Sequence, residues 1–98
     1  MNTTGRIDPW KVEEVRQYLG RSFPAARLDD YPRGMSVAHL FVVTASGFDR
    51  RKQERHYLLI TRQFFDRQGD GTVLKEALDS ADVPRSMVRS GERTVELY

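Results

Sequence analysis

The stretch Met35–Phe65 constrains the fold more than any other part of the chain. It holds two apolar runs, MSVAHLFVVTA and RHYLLITRQFF, joined by the charged segment SGFDRRKQE. Both runs are rich in Val, Leu, Ile, Phe and Tyr and contain no proline, which is the composition of strands. Two such runs around a short glycine-bearing segment predict a β-hairpin. Side chains alternate faces along a strand. In the first run Val37, His39, Phe41 and Val43 share one face, and Ala38, Leu40, Val42 and Thr44 the other. In the second, His56, Leu58, Ile60 and Arg62 alternate with Tyr57, Leu59, Thr61 and Gln63.

Register decides which of these faces combine, because a one-residue slip exchanges the faces of one strand. A loop symmetric about Arg50 sets Phe41 opposite Leu59, Val43 opposite Tyr57 and His39 opposite Thr61. Leu40 then faces Ile60, and Val42 faces Leu58. This register predicts an aliphatic face suited to the core and a mixed reverse face of Phe41, Tyr57, His39, Thr61 and Gln63. The mixed face is then covered by the chain itself, shared with a partner, or used for binding.

A chain of 98 residues makes one small domain with a modest core, too small to enclose a large cofactor. Cysteine is absent, so disulfides, thiolate zinc sites and thiol nucleophiles are excluded. No secretory-type leader or apolar run of bilayer length is read in the sequence, so the expectation is a cytoplasmic protein without a membrane partner. The formal net charge is only +2, but 13 of the 16 basic residues are arginine. Arginine favours planar, bidentate contact with carboxylate or phosphate, although GC-rich codon usage produces the same bias.

Residues 1–6 are polar and read as a disordered tail. Asp8 and Pro9 then mark a helix start, with Ile7 placed to staple onto Val12. Val12, Val15 and Leu19 form its apolar stripe, and Gly20 is a natural stop. Trp10, the single tryptophan, is expected as a lid on the core. Ala25–Tyr31 is an optional edge strand weakened by the pair Asp29-Asp30. Tyr31-Pro32-Arg33-Gly34 is a turn. Beyond the hairpin, DRQGDG is a loop, and Leu74, Ala77, Leu78 and Ala81 give a second helix over Thr72–Asp82 that Val83-Pro84 ends. Arg85–Glu92 reads as a polar connection and Arg93–Tyr98 as a final strand. The predicted fold is a single α+β domain over 1–98, with two helices on one face of a small, mainly antiparallel sheet, in the order α-(β)-β-β-α-β.

Catalytic and metal constellations are sparse. His39 and His56 fall on opposite faces in the symmetric register and cannot share an ion. No Ser or Asp is placed beside either by sequence spacing. Asp66–Val73 echoes the start of an EF-hand loop, but Gln68 occupies the third position and Ala77 the twelfth, where a bidentate glutamate is required. Asp66 and Asp70 are better read as turn residues leading into a capped helix. Nucleotide-binding glycine loops and nucleophile elbows are absent. The expectation is therefore a non-catalytic domain with no metal and no small-molecule cofactor.

Two binding modes remain. Arg50, Arg51, Lys52 and Arg55 at the hairpin loop, with Phe41 and Tyr57 on the adjacent face, form a basic-aromatic surface suited to RNA or DNA: cations hold phosphates and rings stack on bases. The alternative is a protein-interaction or homodimerisation module that uses the mixed face, since Arg, Tyr and Phe are enriched at interface centres.

Overall fold

A computed structural model of the chain describes residues 7–35, 37–46 and 53–98. It is an α+β fold: four helices and a four-stranded, mostly antiparallel sheet, with elements α1 (Pro9–Ser22), β1 (Arg27–Arg33), β2 (Ala38–Ser46), β3 (Gln53–Thr61), α2 (Arg62–Asp66), α3 (Gly71–Ser80), α4 (Val83–Ser90) and β4 (Thr94–Leu97). The strands lie in the order β1-β2-β3-β4. The first three form an antiparallel meander, and β4 joins β3 in parallel. That parallel pairing demands a crossover, which α2, α3 and α4 supply. Among the described residues, no helix is long and apolar enough to cross a membrane.

The helices cover one face of the sheet. Lys11, Val15 and Leu19 are the buried residues of α1, one every fourth position, as one face of a helix requires. Val15 and Leu19 share one core with Phe41 and Val43 of β2, Leu58 and Ile60 of β3, Phe64 and Phe65 of α2, Leu74 and Leu78 of α3, and Val83 and Met87 of α4. Each such apolar side chain contributes on the order of 1.5–3 kcal/mol by leaving water.

The hairpin register departs from the symmetric one by a single residue. Phe41 pairs with Leu58, Val42 with Tyr57 and Leu40 with Leu59. The faces are therefore recombined: Phe41, Val43, Leu58 and Ile60 enter the core, and Leu40, Val42, Tyr57 and Leu59 lie on the reverse face. Phe41 is 1% exposed, and His39, on the same side of β2, also faces the helices. Neither belongs to the open face that the symmetric register gave them.

Two helices occupy segments with other expected states. The tail of the second apolar run, Arg62–Asp66, turns into α2 because Thr61 caps it; the Phe64 N–H donates to Thr61 Oγ1 at 3.2 Å. Val83-Pro84, expected to end a helix, instead begins α4. Proline lacks an N–H and has its φ locked near the helical value, so it suits a first helical turn. Val83 and Met87 then sit on one side of α4 and are buried. The optional edge strand is present, two residues further on than its sequence limits. Asp29-Asp30 is tolerated there because the two carboxylates point to opposite faces of β1 and each finds a cation. The turn into β2 needs Gly34, which has φ 56° and would place a Cβ 2.7 Å from Val37 Cγ2. Met35 follows it with positive φ and is 97% exposed, so β2 starts three residues later than the apolar run.

Candidate interaction surface

The uncovered face of the sheet is built in rows set by the strand register. One row runs Arg27, Thr44, Arg55 across β1, β2 and β3. The next runs Asp29, Val42, Tyr57, Thr94, and the third Tyr31, Leu40, Leu59, Glu96 across all four strands. Leu40, Val42, Tyr57 and Leu59 thus form a contiguous half-buried apolar centre on the two inner strands. Arg27, Arg33, Arg55 and Tyr31 (51% exposed) flank it on the β1 side and at the hairpin end. The surface is a shallow open trough of about 700 Å³ there. It continues toward β4 as a smaller hollow that Arg33, Leu59, Glu92, Thr94 and Glu96 line.

Charge on this face is polarised. Arg27 Nε lies 3.1 Å from Asp29 Oδ2, so that pair is locally neutralised. Arg33 and Arg55 make no ion pair with another described residue. The opposite margin carries Glu92 and Glu96, and the Tyr98 hydroxyl donates to Glu96 Oε1. An apolar centre with arginines on one rim and glutamates on the other has the layout of a protein contact surface.

Of the residues expected to bind nucleic acid, Tyr57 and Arg55 share this face two residues apart on β3, and Phe41 lies behind it in the core. Arg50, Arg51 and Lys52 lie outside the described residues. Thr61 sits on the open-face side of β3, where it caps α2, and Gln63 is exposed within α2. Trp10 is 43% exposed at the start of α1 rather than a lid on the core, with Lys11 Nζ 5.6 Å from its ring centroid.

Both histidines are tied into the framework. His39 Nε2–H donates to Asp30 Oδ1 at 2.8 Å, and Arg16 of α1 donates to Asp30 Oδ2. Burial pushes the Asp30 carboxyl up, but the hydrogen bonds from His39 and Arg16, and their charges, outweigh it and hold the group below the ordinary carboxylate range. This three-residue link pins α1 to the β1–β2 edge. Sequence spacing could not find it, because Asp30 reaches His39 only across the turn at Gly34. His56 Nδ1–H donates to the Gly91 carbonyl at 3.0 Å, and its ring stacks on Phe23, so it fastens the end of α4 to β3.

Other buried polar groups serve the helices. Lys11 Nζ donates to the Phe65 carbonyl at 2.7 Å, a second donor beside the Gln68 N–H at 3.0 Å, and so ties α1 to the end of α2. The Tyr18 hydroxyl donates to Asp79 Oδ1 at 2.7 Å, linking α1 to α3; burial, with the Asp79 hydrogen bond and charge, raises its pKa. Asp70, in the segment that echoes an EF-hand, caps α3 by accepting from the Val73 N–H at 2.9 Å. No group of three or more potential metal ligands occurs among the described residues. Compared with protein-family models, with curated proteins and with solved structures, the chain gives no significant match.

Proposed function

We propose that the chain is a non-catalytic protein-binding domain whose working surface is the open face of the sheet. One observation carries this reading: Leu40, Val42, Tyr57 and Leu59 are continuous across β2 and β3 on the face that no helix among the described residues covers. Contiguous apolar surface with a polar rim marks interaction sites. Arginine beside tyrosine is the composition of interface hot spots. Polyanion binding by Arg27, Arg33 and Arg55 is the competing use of the same face. It is the weaker reading because the centre is aliphatic rather than aromatic, and bases stack on rings.

Selection of a displayed random-peptide library on the wild-type chain and on Leu59→Arg tests the proposal. Peptides should enrich on the wild type alone, and their amide chemical-shift changes should centre on Leu40, Val42, Tyr57 and Leu59. Enrichment that Leu59→Arg leaves intact, or shifts confined to other surfaces, refutes it. In a parallel arm, a single-stranded oligonucleotide is run on a low-salt gel with the chain. Retardation that Arg33→Ala with Arg55→Ala abolishes, without peptide enrichment, would assign the face to nucleic acid instead.

A further inference from the structure

We infer that the partner for this face is a second copy of the same chain, packed sheet to sheet about a two-fold axis that runs along the strands. The inference rests on the reading of the open face as a protein-binding surface and adds the identity of the occupant.

Where the charges sit relative to the apolar centre selects the occupant. A face that packs on itself must be self-complementary under its own rotation. Two in-plane axes are available to a four-stranded sheet. An axis across the strands sets β1 over β1 and β4 over β4 of the second copy. Position along the strand is then reversed, so about the apolar centre Arg27 falls over Arg33 of the second copy and Glu96 over Thr94: like charges oppose at the β1 margin, and the glutamates gain no cation. An axis along the strands sets β1 over β4 and β2 over β3. Position along the strand is then preserved, so each row of the sheet meets itself reversed.

The observed rows give the contacts. Leu40 meets Leu59 of the second copy, and Leu59 meets Leu40. Val42 meets Tyr57, and Tyr57 meets Val42. At the margins Tyr31 meets Glu96, which can accept its hydroxyl, and Asp29 meets Thr94. Arg33, two residues along β1 from Tyr31 on the same face, reaches the same Glu96. Arg27 falls over the stretch preceding Thr94, where Glu92 stands. The sheets cross at about −30° from their twist, as aligned sheets do, and this adjusts the marginal pairs without exchanging the rows. Every apolar residue of the centre thereby gains an apolar partner, and the basic margin meets the acidic one twice.

The size of the face sets the strength. Four strands ~4.8 Å apart, described over seven or so residues at ~3.3 Å each, give a face of roughly 20 by 25 Å. Two such faces bury on the order of 1,000 Å², the lower limit for a specific interface. The association is therefore a weak, reversible dimer with a dissociation constant in the micromolar range or above.

Sedimentation equilibrium of the full chain, from roughly 10 μM to 1 mM, reads the association directly. The wild type should move from monomer to dimer across that range. Leu59→Arg should stay monomeric, with its circular dichroism spectrum showing that it remains folded. Arg33→Glu and Glu96→Arg should each weaken the dimer by roughly tenfold or more, and the double exchange should restore most of it, because only facing partners can be swapped. The exchange also keeps the test decisive if Leu59→Arg fails to fold. A wild type that is monomeric throughout, a dimer indifferent to Leu59→Arg, or single variants that the exchange does not rescue each overturn the inference. A monomer whose open face still selects peptides would overturn the second copy alone and leave the protein-binding surface in place.

Discussion

Phe41 and Leu40 are neighbours in sequence with opposite fates, and truncating each in turn tests the register that defines the interaction surface. Phe41 is fully buried against the helices, and Leu40 is half-buried on the open face. A buried phenylalanine cut to alanine costs about 3–5 kcal/mol, from lost transfer energy and the cavity left behind. For Leu40 only part of the side chain is out of water and no closed cavity results, so the cost is about 1 kcal/mol. A domain of this size has a total stability of roughly 5–15 kcal/mol. Phe41→Ala therefore removes roughly a fifth of it or more, and Leu40→Ala several-fold less. Urea unfolding followed by far-ultraviolet circular dichroism measures both. Since ΔG falls by roughly 1–3 kcal/mol per molar urea, the Phe41→Ala midpoint should drop by about 1 M or more, and that of Leu40→Ala by about a third as much or less. Equal losses, or a larger loss for Leu40→Ala, would show that the hairpin pairs in the symmetric register and that the surface is misassigned.

Acid should weaken the link between α1 and the sheet. The Asp30 carboxyl titrates below its unfolded value of about 3.9, so it contributes stability that is full above that pH and lost as pH falls through the lower folded value. Urea midpoints of the wild type and Asp30→Asn should differ at pH 5.5 and converge toward pH 2.5; a constant gap would refute the role of the charge. Asp70→Ala should cost about 1 kcal/mol through loss of the α3 cap, and millimolar calcium should leave the wild-type melting temperature unchanged; a calcium-dependent rise would restore the EF-hand reading of that loop.

Local chemistry made much of the architecture legible. Asp8-Pro9 announced α1, Asp70 announced α3, and the apolar spacing of Leu74 and Leu78 identified the side of α3 that is buried. The grouping of side chains within each hairpin strand was also readable. How the two strands combine was not, because both phases of both strands are apolar. Phe41 and Val43 are as hydrophobic as Leu40 and Val42, and Leu58 and Ile60 are matched by Tyr57 and Leu59, so hydrophobic pattern could not select the register. Loop length decides it, and the ladder closes at Ser46 and Gln53, giving an even loop where symmetry about Arg50 required an odd one. Similarly, Pro84 carries the same local restriction whether it ends α3 or opens α4. Only the burial of Val83 and Met87 against the sheet distinguishes the two, and that is a tertiary fact. The site was visible as a half-free sheet face that carries Tyr57 and Leu59 of β3; Leu40 and Val42 of β2, which complete its centre, were assigned to the core, since their side depends on the same one-residue choice.

The parallel docking of β4 has a consequence for how the chain assembles. The meander β1–β3 closes through contacts between near neighbours in sequence, whereas β4 reaches β3 only after some thirty residues of intervening helix, and such distant pairings form slowly. Until that last strand docks, β3 presents an unprotected margin to other chains, and the nascent sheet carries its arginines without the glutamates that balance them. The grip of His56 on Gly91, just upstream of β4, is thus placed to act as a latch that shortens this vulnerable interval.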